Sequence, residues 1–471
     1  MKNELEICVL AAGKGTRMKT TTPKMLQPIA GRPMIEHVVA VAKQLEPTAI
    51  HLIVGEDASP MQALFAEQTD LTWAEQREQL GTGHAVMQAL PNIKADSATL
   101  ILLGDVPLIR AETLAQLTVS HADIVVLTIN LEAPTGYGRI TRDAQGRVTG
   151  IVEEKDATPA ERDIKEVNSG LFYIGPGLLP GLLAKLTNDN RQGEFYLTDI
   201  VAHAVQQGLS VETVNVADAE EVGGVNDLAQ LAAAERYFQR RQAEALMRAG
   251  VRIIDPARID IRGAVTFGMD VIVDVNAVIE GPCHFAGGSV IEPHCVIKQC
   301  RIGAGSVIKA HSNLEGATLA EGCQVGPYAR LRPGADLRDG VSIGNFVEVK
   351  KTVMGPGSKA SHLSYLGDAS IGAEVNIGAG TITCNYDGVN KWQTVLEDGV
   401  FIGSNTALVA PVTVEKDATV GAGSTITGQV PRAALGVARG KQRNIEGWPR
   451  PEKITDAPGL VKKQSPIKDG A

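Results

Sequence analysis

The chain has 471 residues, so at least two domains of ordinary size (about 100–200 residues each) are expected. Apolar residues make up 44% and charged residues 21%, as in a globular protein, and a net charge of −9 argues against nucleic acid or an anionic membrane as partner. No apolar run is long enough to span a bilayer, so no membrane insertion is expected; the opening MKNELEICVLAAG lacks the order of a signal peptide, and a cytoplasmic location is expected.

Residues 1–225 alternate short aliphatic runs with helix-like or loop segments. The runs Ile7–Leu10, Ile50–Val54, Thr99–Leu103 and Ile124–Leu127 read as strands. Such alternation predicts an α/β, Rossmann-like domain with a mainly parallel sheet and helices on both faces. Ligands then bind beyond the carboxyl ends of the strands. Residues 226–250 follow as a helical linker: Asn226–Ala249 contains no Gly and no Pro, and Gly250 is a stop signal.

From residue 251 the pattern changes. Leu319, Val325, Leu331, Leu337, Ile343 and Val349 fall six apart, as do Ile402, Leu408, Val414, Val420 and Ile426. Neither a helix (3.6) nor a strand (2) repeats at six. A coil with three flat faces, one hexapeptide per face, does, which predicts a left-handed parallel β-helix of hexapeptide repeats over 251–447. The aliphatic beat itself covers Val251–Val430, about ten coils. Fifty glycines and 4% aromatic residues suit thin coils. The six cysteines are scattered without a C-x-x-C pair, which suits buried thiols better than disulfides or a zinc site. Residues 448–471 are read as a mobile tail.

The first strand runs into Ala11-Ala12-Gly13-Lys14-Gly15-Thr16-Arg17-Met18, with Pro23-Lys24 close behind. Glycines after a strand let backbone N–H groups approach phosphate, with Lys and Arg facing it. The string is neither G-x-G-x-x-G nor a Walker loop. It resembles the signature of the sugar-nucleotide pyrophosphorylases. That resemblance implies attack of a sugar 1-phosphate oxygen on the α-phosphorus of a nucleoside triphosphate, with Arg17 and Lys24 neutralising the phosphates. Asp105, in Gly104-Asp105-Val106-Pro107, follows an apolar strand and suits Mg²⁺, although an Asp there is as often a helix cap. By resemblance Asn226 is the second metal ligand. The same likeness places Leu10, Ala11, Ala12, Gly13, Lys24, Gln76, Gly81, Thr82, Leu103, Gly104, Asp105, Gly138, Glu153, Asn168 and Asn226 against the nucleotide sugar.

In the second half, His362 stands where the hexad breaks. Histidine is the natural base near neutral pH and can strip a proton from an amine attacking a thioester. With Ile377-Gly378-Ala379-Gly380 and Cys384-Asn385-Tyr386 behind it, the whole chain resembles the bacterial bifunctional N-acetylglucosamine-1-phosphate uridyltransferase/glucosamine-1-phosphate acetyltransferases. The likeness spans roughly residues 5–450. It implies glucosamine 1-phosphate at Arg332, Lys350, Tyr365 and Asn376, and acetyl-CoA at Ala379, Asn385, Tyr386, Ser404, Ala422 and Arg439. It also implies UTP as second co-substrate, Mg²⁺ as cofactor and, by analogy with other β-helices, a homotrimer. Four positions depart from it. Ser361 and Ser364 replace Gly and Thr around His362, Leu103 replaces a frequent Tyr, and Gly223 replaces Glu. A single-activity nucleotidyltransferase with an inert β-helix is the main rival, and His362 and Asn385 speak against it.

Overall fold

A computed structural model of the chain describes residues 4–451. Most of the expected tail thus lies outside the described residues. The four aliphatic runs of the first half are strands, Leu5–Leu10, Ala49–Val54, Ala98–Leu103 and Ile124–Asn130. They belong to one sheet whose order runs Val211–Asn215, Ile124–Asn130, Glu166–Ile174, Ala98–Leu103, Leu5–Leu10, Ala49–Val54, Leu71–Glu75. Pairing is parallel except at Glu166–Ile174, which is antiparallel to both neighbours. A hairpin, Arg139–Arg142 with Val148–Val152, extends this strand sideways. Helices cover both faces, and two apolar clusters lie above and below the sheet. The sheet is buried on both sides, which is why its strands read as near-continuous aliphatic runs.

The connecting helix spans Leu228–Arg248 rather than starting at Asn226. Asp227 is extended, and its carboxylate accepts from the Gln230 backbone N–H at 2.8 Å, so it caps the helix and leaves Asn226 outside it. The helix belongs to two cores at once. Ala234 packs with Met18, Ile29, Met34, Leu108 and Val225 of the first domain. Ala243 packs into the solenoid core, with Leu246 and Met247 against it.

The second half is a left-handed β-helix of three parallel sheets, with eleven, ten and nine strands. The predicted beat residues Leu319, Val325, Leu331, Leu337, Ile343 and Val349 are all buried and stack through one cluster that runs the length of the solenoid. The drift in the beat also has a cause. Coil to coil, Ile272 pairs with Val290 after 18 residues, but Val290 pairs with Val307 after 17. A corner that drops one residue shifts the beat without moving the stack. One interval is long: Asn376 pairs with Phe401, 25 residues on. The surplus leaves the stack as a loop between the strands Ile382–Cys384 and Thr394–Leu396.

Candidate functional sites

Strand Leu5–Leu10 ends at the loop that carries the first motif. Gly15 adopts φ +59°, and a Cβ there would lie 2.5 Å from Lys24 Cβ, so only glycine lets Lys24 fold under the loop. Lys24 is buried, and its ammonium contacts both the Asp105 carboxylate and, at 2.8 Å, Asn226 Oδ1. Arg17 donates to the same Asn226 oxygen at 2.8 Å. The backbone closes around this point: Gly104 N–H donates to Leu10 O and Val225 N–H to Asp105 O, each at 2.9 Å.

Two clefts meet here. One, about 350 Å³, is lined by Leu10, Ala12, Gly13, Lys24, Gln76, Gln79, Gly81, Thr82, Leu103 and Asp105. The other, about 450 Å³, is lined by Arg17, Thr82, Leu103, Asp105, Gly138, Glu153, Asn168, Gly170 and Asn226. They share Thr82, Leu103 and Asp105, so they form one groove with the Lys24–Asp105 pair at its middle. Ala11 lines a third hollow that adjoins the first cleft along the glycine loop, with Lys14, Thr20 and Pro23. Gly104 lines neither cleft but is packed tightly between Leu10 O and Met25. The first cleft is held open by amides: Gln79 donates to Ala12 O at 2.6 Å and Gln76 to Gly81 O at 3.0 Å. In the second, burial pushes the Glu153 carboxyl above the usual range, partly offset by the Thr198 hydroxyl donating to it at 2.9 Å.

The oxygen pair of Asp105 and Asn226 fits a hard divalent cation. Both oxygens already converge on a positive charge, the Lys24 ammonium. Among the described residues no cluster of three His, Cys, Asp or Glu could hold a metal unaided. A cation here would need phosphate oxygens and water to complete its shell, which is how Mg²⁺ is usually held.

The second cluster lies on the C-terminal half of the β-helix. Strands Arg330–Leu331, Glu348–Lys350 and Tyr365–Gly367 are successive rungs of one sheet, so Arg332, Lys350 and Tyr365 project from adjacent coils. Arg332 is tied to Glu348 at 2.8 Å. His362 ends the strand Lys359–His362, and its exposed ring places Nδ1 2.8 Å from Asn345 Oδ1, one coil below. If Nδ1 carries the proton and donates it there, Nε2 is the free base. Ser364 answers its expected replacement: its hydroxyl donates to His362 O at 2.9 Å, holding the turn behind the ring. Asn376 lies on the neighbouring sheet, in register with Lys359 one coil below.

The expected acetyl-CoA residues separate into two groups. Ala379, Ser404 and Ala422 follow one another at a single corner, bonded Asn405 N–H to Ala379 O at 2.7 Å and Gly423 N–H to Ser404 O at 2.8 Å, and Arg439 donates to Ala422 O at 2.6 Å. They form a track along the solenoid axis, rising about 4.8 Å per coil. Asn385 and Tyr386 lie on the inserted loop instead. Asn385 is buried, with its amide on Asp368, whereas the Tyr386 ring is exposed.

Two residues of this cluster escape the sequence reading. Asn345 is one. The other is Lys391, which the inserted loop brings against Lys350; direct contact with that side chain, and then its like charge, pulls the Lys391 pKa down. The 17-residue coil could have pointed to Asn345; nothing in the sequence places Lys391 beside Lys350.

A Rossmann-like α/β domain joined to a hexapeptide solenoid defines a two-domain transferase. Family comparison agrees: residues 7–163 match the MobA-like NTP transferase domain and residues 393–428 match the bacterial transferase hexapeptide (six repeats). The chain is 53% identical over 457 residues to the bifunctional protein GlmU of Alkalilimnicola ehrlichii, covering 97% of this chain and 98% of that one. It is 53% identical to the GlmU of Pseudomonas entomophila (96% and 99% covered) and 50% identical to that of Stenotrophomonas maltophilia (96% and 100%). The chain belongs to the GlmU family of bifunctional proteins.

Proposed function

We infer that the chain is a bifunctional enzyme that acetylates glucosamine 1-phosphate with acetyl-CoA and then couples the product to UTP, giving UDP-N-acetylglucosamine and pyrophosphate for cell-wall synthesis. The observation that carries this reading is the presence of two separate reactive clusters, Lys24–Asp105–Asn226 and His362–Asn345.

In the acetyl transfer, His362 Nε2 takes the proton from the sugar amine as its nitrogen bonds to the thioester carbonyl. The C–S bond then breaks and CoA leaves as the thiol, taking a proton. Arg332, Lys350 and Lys391 hold the acceptor's phosphate, with Tyr365 and Asn376 beside it. Three cations suit a dianion better than the two the sequence suggests. The corner track from Ala379 to Arg439, with Tyr386, takes the extended thioester.

In the uridylyl transfer, a phosphate oxygen of the N-acetylated sugar attacks the α-phosphorus in line and pyrophosphate leaves. No protein nucleophile is needed, because charge neutralisation and orientation supply the catalysis. Uracil sits in the cleft of Gln76, Gly81 and Thr82, and the sugar in the cleft of Gly138, Glu153 and Asn168. Arg17 and Lys24 face the phosphates between them. Asp105 and Asn226 would hold Mg²⁺, which would supply further neutralisation of the triphosphate.

We also propose a cytoplasmic homotrimer. Among the described residues no helix is long and apolar enough to cross a membrane. Along one corner His294, His311, Tyr328 and Phe346 stack at 4.8, 4.9 and 5.5 Å, with Leu363 next, all exposed. Such a column supports side-by-side packing of solenoids; light scattering reads the mass.

The test of the two-site reading uses two variants. His362→Ala is expected to abolish thiol release while uridylyl transfer persists, and Asp105→Asn to do the reverse. Equal loss of both activities in either variant refutes separate sites.

A further inference from the structure

The groups that face the proposed metal come from two distant segments. Asp105 leaves the strand Ala98–Leu103, and Asn226 sits on the loop before the connecting helix. Among the described residues one backbone bond joins them directly, Val225 N–H to Asp105 O. Five residues beyond Asp105 stands Arg110; five residues before Asn226 stands Glu221. One hydrogen bond joins these two: the Arg110 backbone N–H donates to Glu221 Oε1 at 3.0 Å. The Arg110 Nε lies 3.5 Å from Glu221 Oε2, an ion-pair contact without a hydrogen bond. Glu221 is 3% exposed, so its carboxylate has little water to fall back on.

The same guanidinium reaches further. Its Nη2 donates to Tyr237 Oη on the connecting helix at 2.9 Å and lies 3.2 Å from Asp218 Oδ2. Tyr237 in turn donates to Asp218, on the stretch that leads into the Asn226 loop. Arg241, one turn along the helix, donates to Leu108 O at 2.7 Å, between Asp105 and Arg110. One arginine thus joins both arms of the oxygen pair and pins them to the helix. The Arg110 side chain is 40% exposed and that of Asp218 38%, so the buried end of the set is the Glu221 carboxylate.

We propose that Arg110 is a positioning residue: through Glu221 and Tyr237 it sets the spacing between Asp105 and Asn226, and with it the affinity for the divalent cation of the uridylyl site. This rests on the reading of Asp105 and Asn226 as the cation's protein ligands. Arg110 lines neither cleft of the groove, and its effect passes through the two arms.

The test uses the full-length protein, with Mn²⁺ as probe, followed by electron paramagnetic resonance in the presence of UDP-N-acetylglucosamine. Arg110→Ala and Glu221→Gln are each expected to weaken Mn²⁺ binding about tenfold or more, the usual size of an outer-sphere effect on a metal ligand. The Mg²⁺ concentration for half-maximal uridylyl transfer should rise by a similar factor, and excess Mg²⁺ should restore most of kcat. Acetyl transfer, measured in the same molecule, should stay within about twofold and so report that the chain is folded. Tyr237→Phe keeps the Arg110–Glu221 contact and should show a smaller loss. Unchanged Mn²⁺ affinity in both Arg110→Ala and Glu221→Gln overturns the proposal, as does a parallel fall of both activities that excess Mg²⁺ does not reverse. Asp105→Asn separates the two ideas. If it too leaves Mn²⁺ binding intact, the ligand assignment has failed and the clamp has no site to serve; if it alone abolishes binding, the clamp alone has failed.

Discussion

Asn345 and His362 are 17 residues apart, one coil, and their side chains meet at 2.8 Å. The partner of the imidazole is therefore a neutral amide. A carboxylate in its place would favour the protonated imidazolium over the free base. Asn345→Asp is then expected to shift the acid limb of the acetyl-transfer kcat/KM profile to higher pH, because the base is inactive when protonated. Asn345→Ala should lower kcat about tenfold, within the usual range for general-base assistance, without moving that limb so far. Uridylyl transfer should be indifferent to both. An unshifted profile in Asn345→Asp would show that the contact does not govern the base.

At the scale of elements, the solenoid was the most legible part, because its core is built by one rule repeated. Leu331 illustrates it: fully buried, paired with Leu314 below and Val349 above. Truncation to Ala should cost about 2–5 kcal/mol, as for aliphatic core residues generally. The measurable result is a drop in the denaturation midpoint with no change in which reactions are catalysed. A loss under about 0.5 kcal/mol, the scale of a surface change, would mean the stack relaxes around the gap. The first domain was legible only where strands are wholly aliphatic. Leu71–Glu75 and Val211–Asn215 flank the sheet and carry Thr, Glu and Asn, so they do not stand out. Glu166–Ile174 is interrupted by Asn168-Ser169-Gly170, where its register with Ile124–Asn130 shifts. That irregularity turns Asn168 into the second cleft, so the feature that hid the strand also supplies part of the cleft wall. In the same way the inserted loop that broke the hexad carries Asn385, Tyr386 and Lys391. Breaks in the beat could be read as sites, but their contents could not be assigned to partners, because the meeting of Lys391 with Lys350 depends on how a loop folds back.

For the whole molecule, the question is how two catalytic units share one helix. The sequence suggests a rigid spacer; the structure shows a docked joint. Gln239 is 1% exposed and bridges to the first solenoid coil, donating to Ile261 O and accepting from Ile261 N–H, both at 2.8 Å. One turn earlier Glu235 accepts from the Ala30 backbone N–H at 2.6 Å, and Ala30 O accepts from Gly263 N–H at 2.9 Å. The helix, the Ala30 turn between the short strands Pro28–Ile29 and Arg32–Pro33, and the coil are thus closed into one bonded ring. Gln239→Leu keeps the volume but leaves the Ile261 N–H and C=O buried without partners, a penalty of about 1–3 kcal/mol for each group. That loss falls at the joint, away from both reactive clusters. Calorimetry of the variant should therefore show the unfolding of the two halves moving apart by several degrees relative to the parent, while both activities at 25 °C remain within about twofold of it. A thermogram that overlays the parent's would mean that the shared cores of Ala234 and Ala243 hold the joint without the glutamine. Coupled loss of both activities at low temperature would mean instead that each site needs the ring intact.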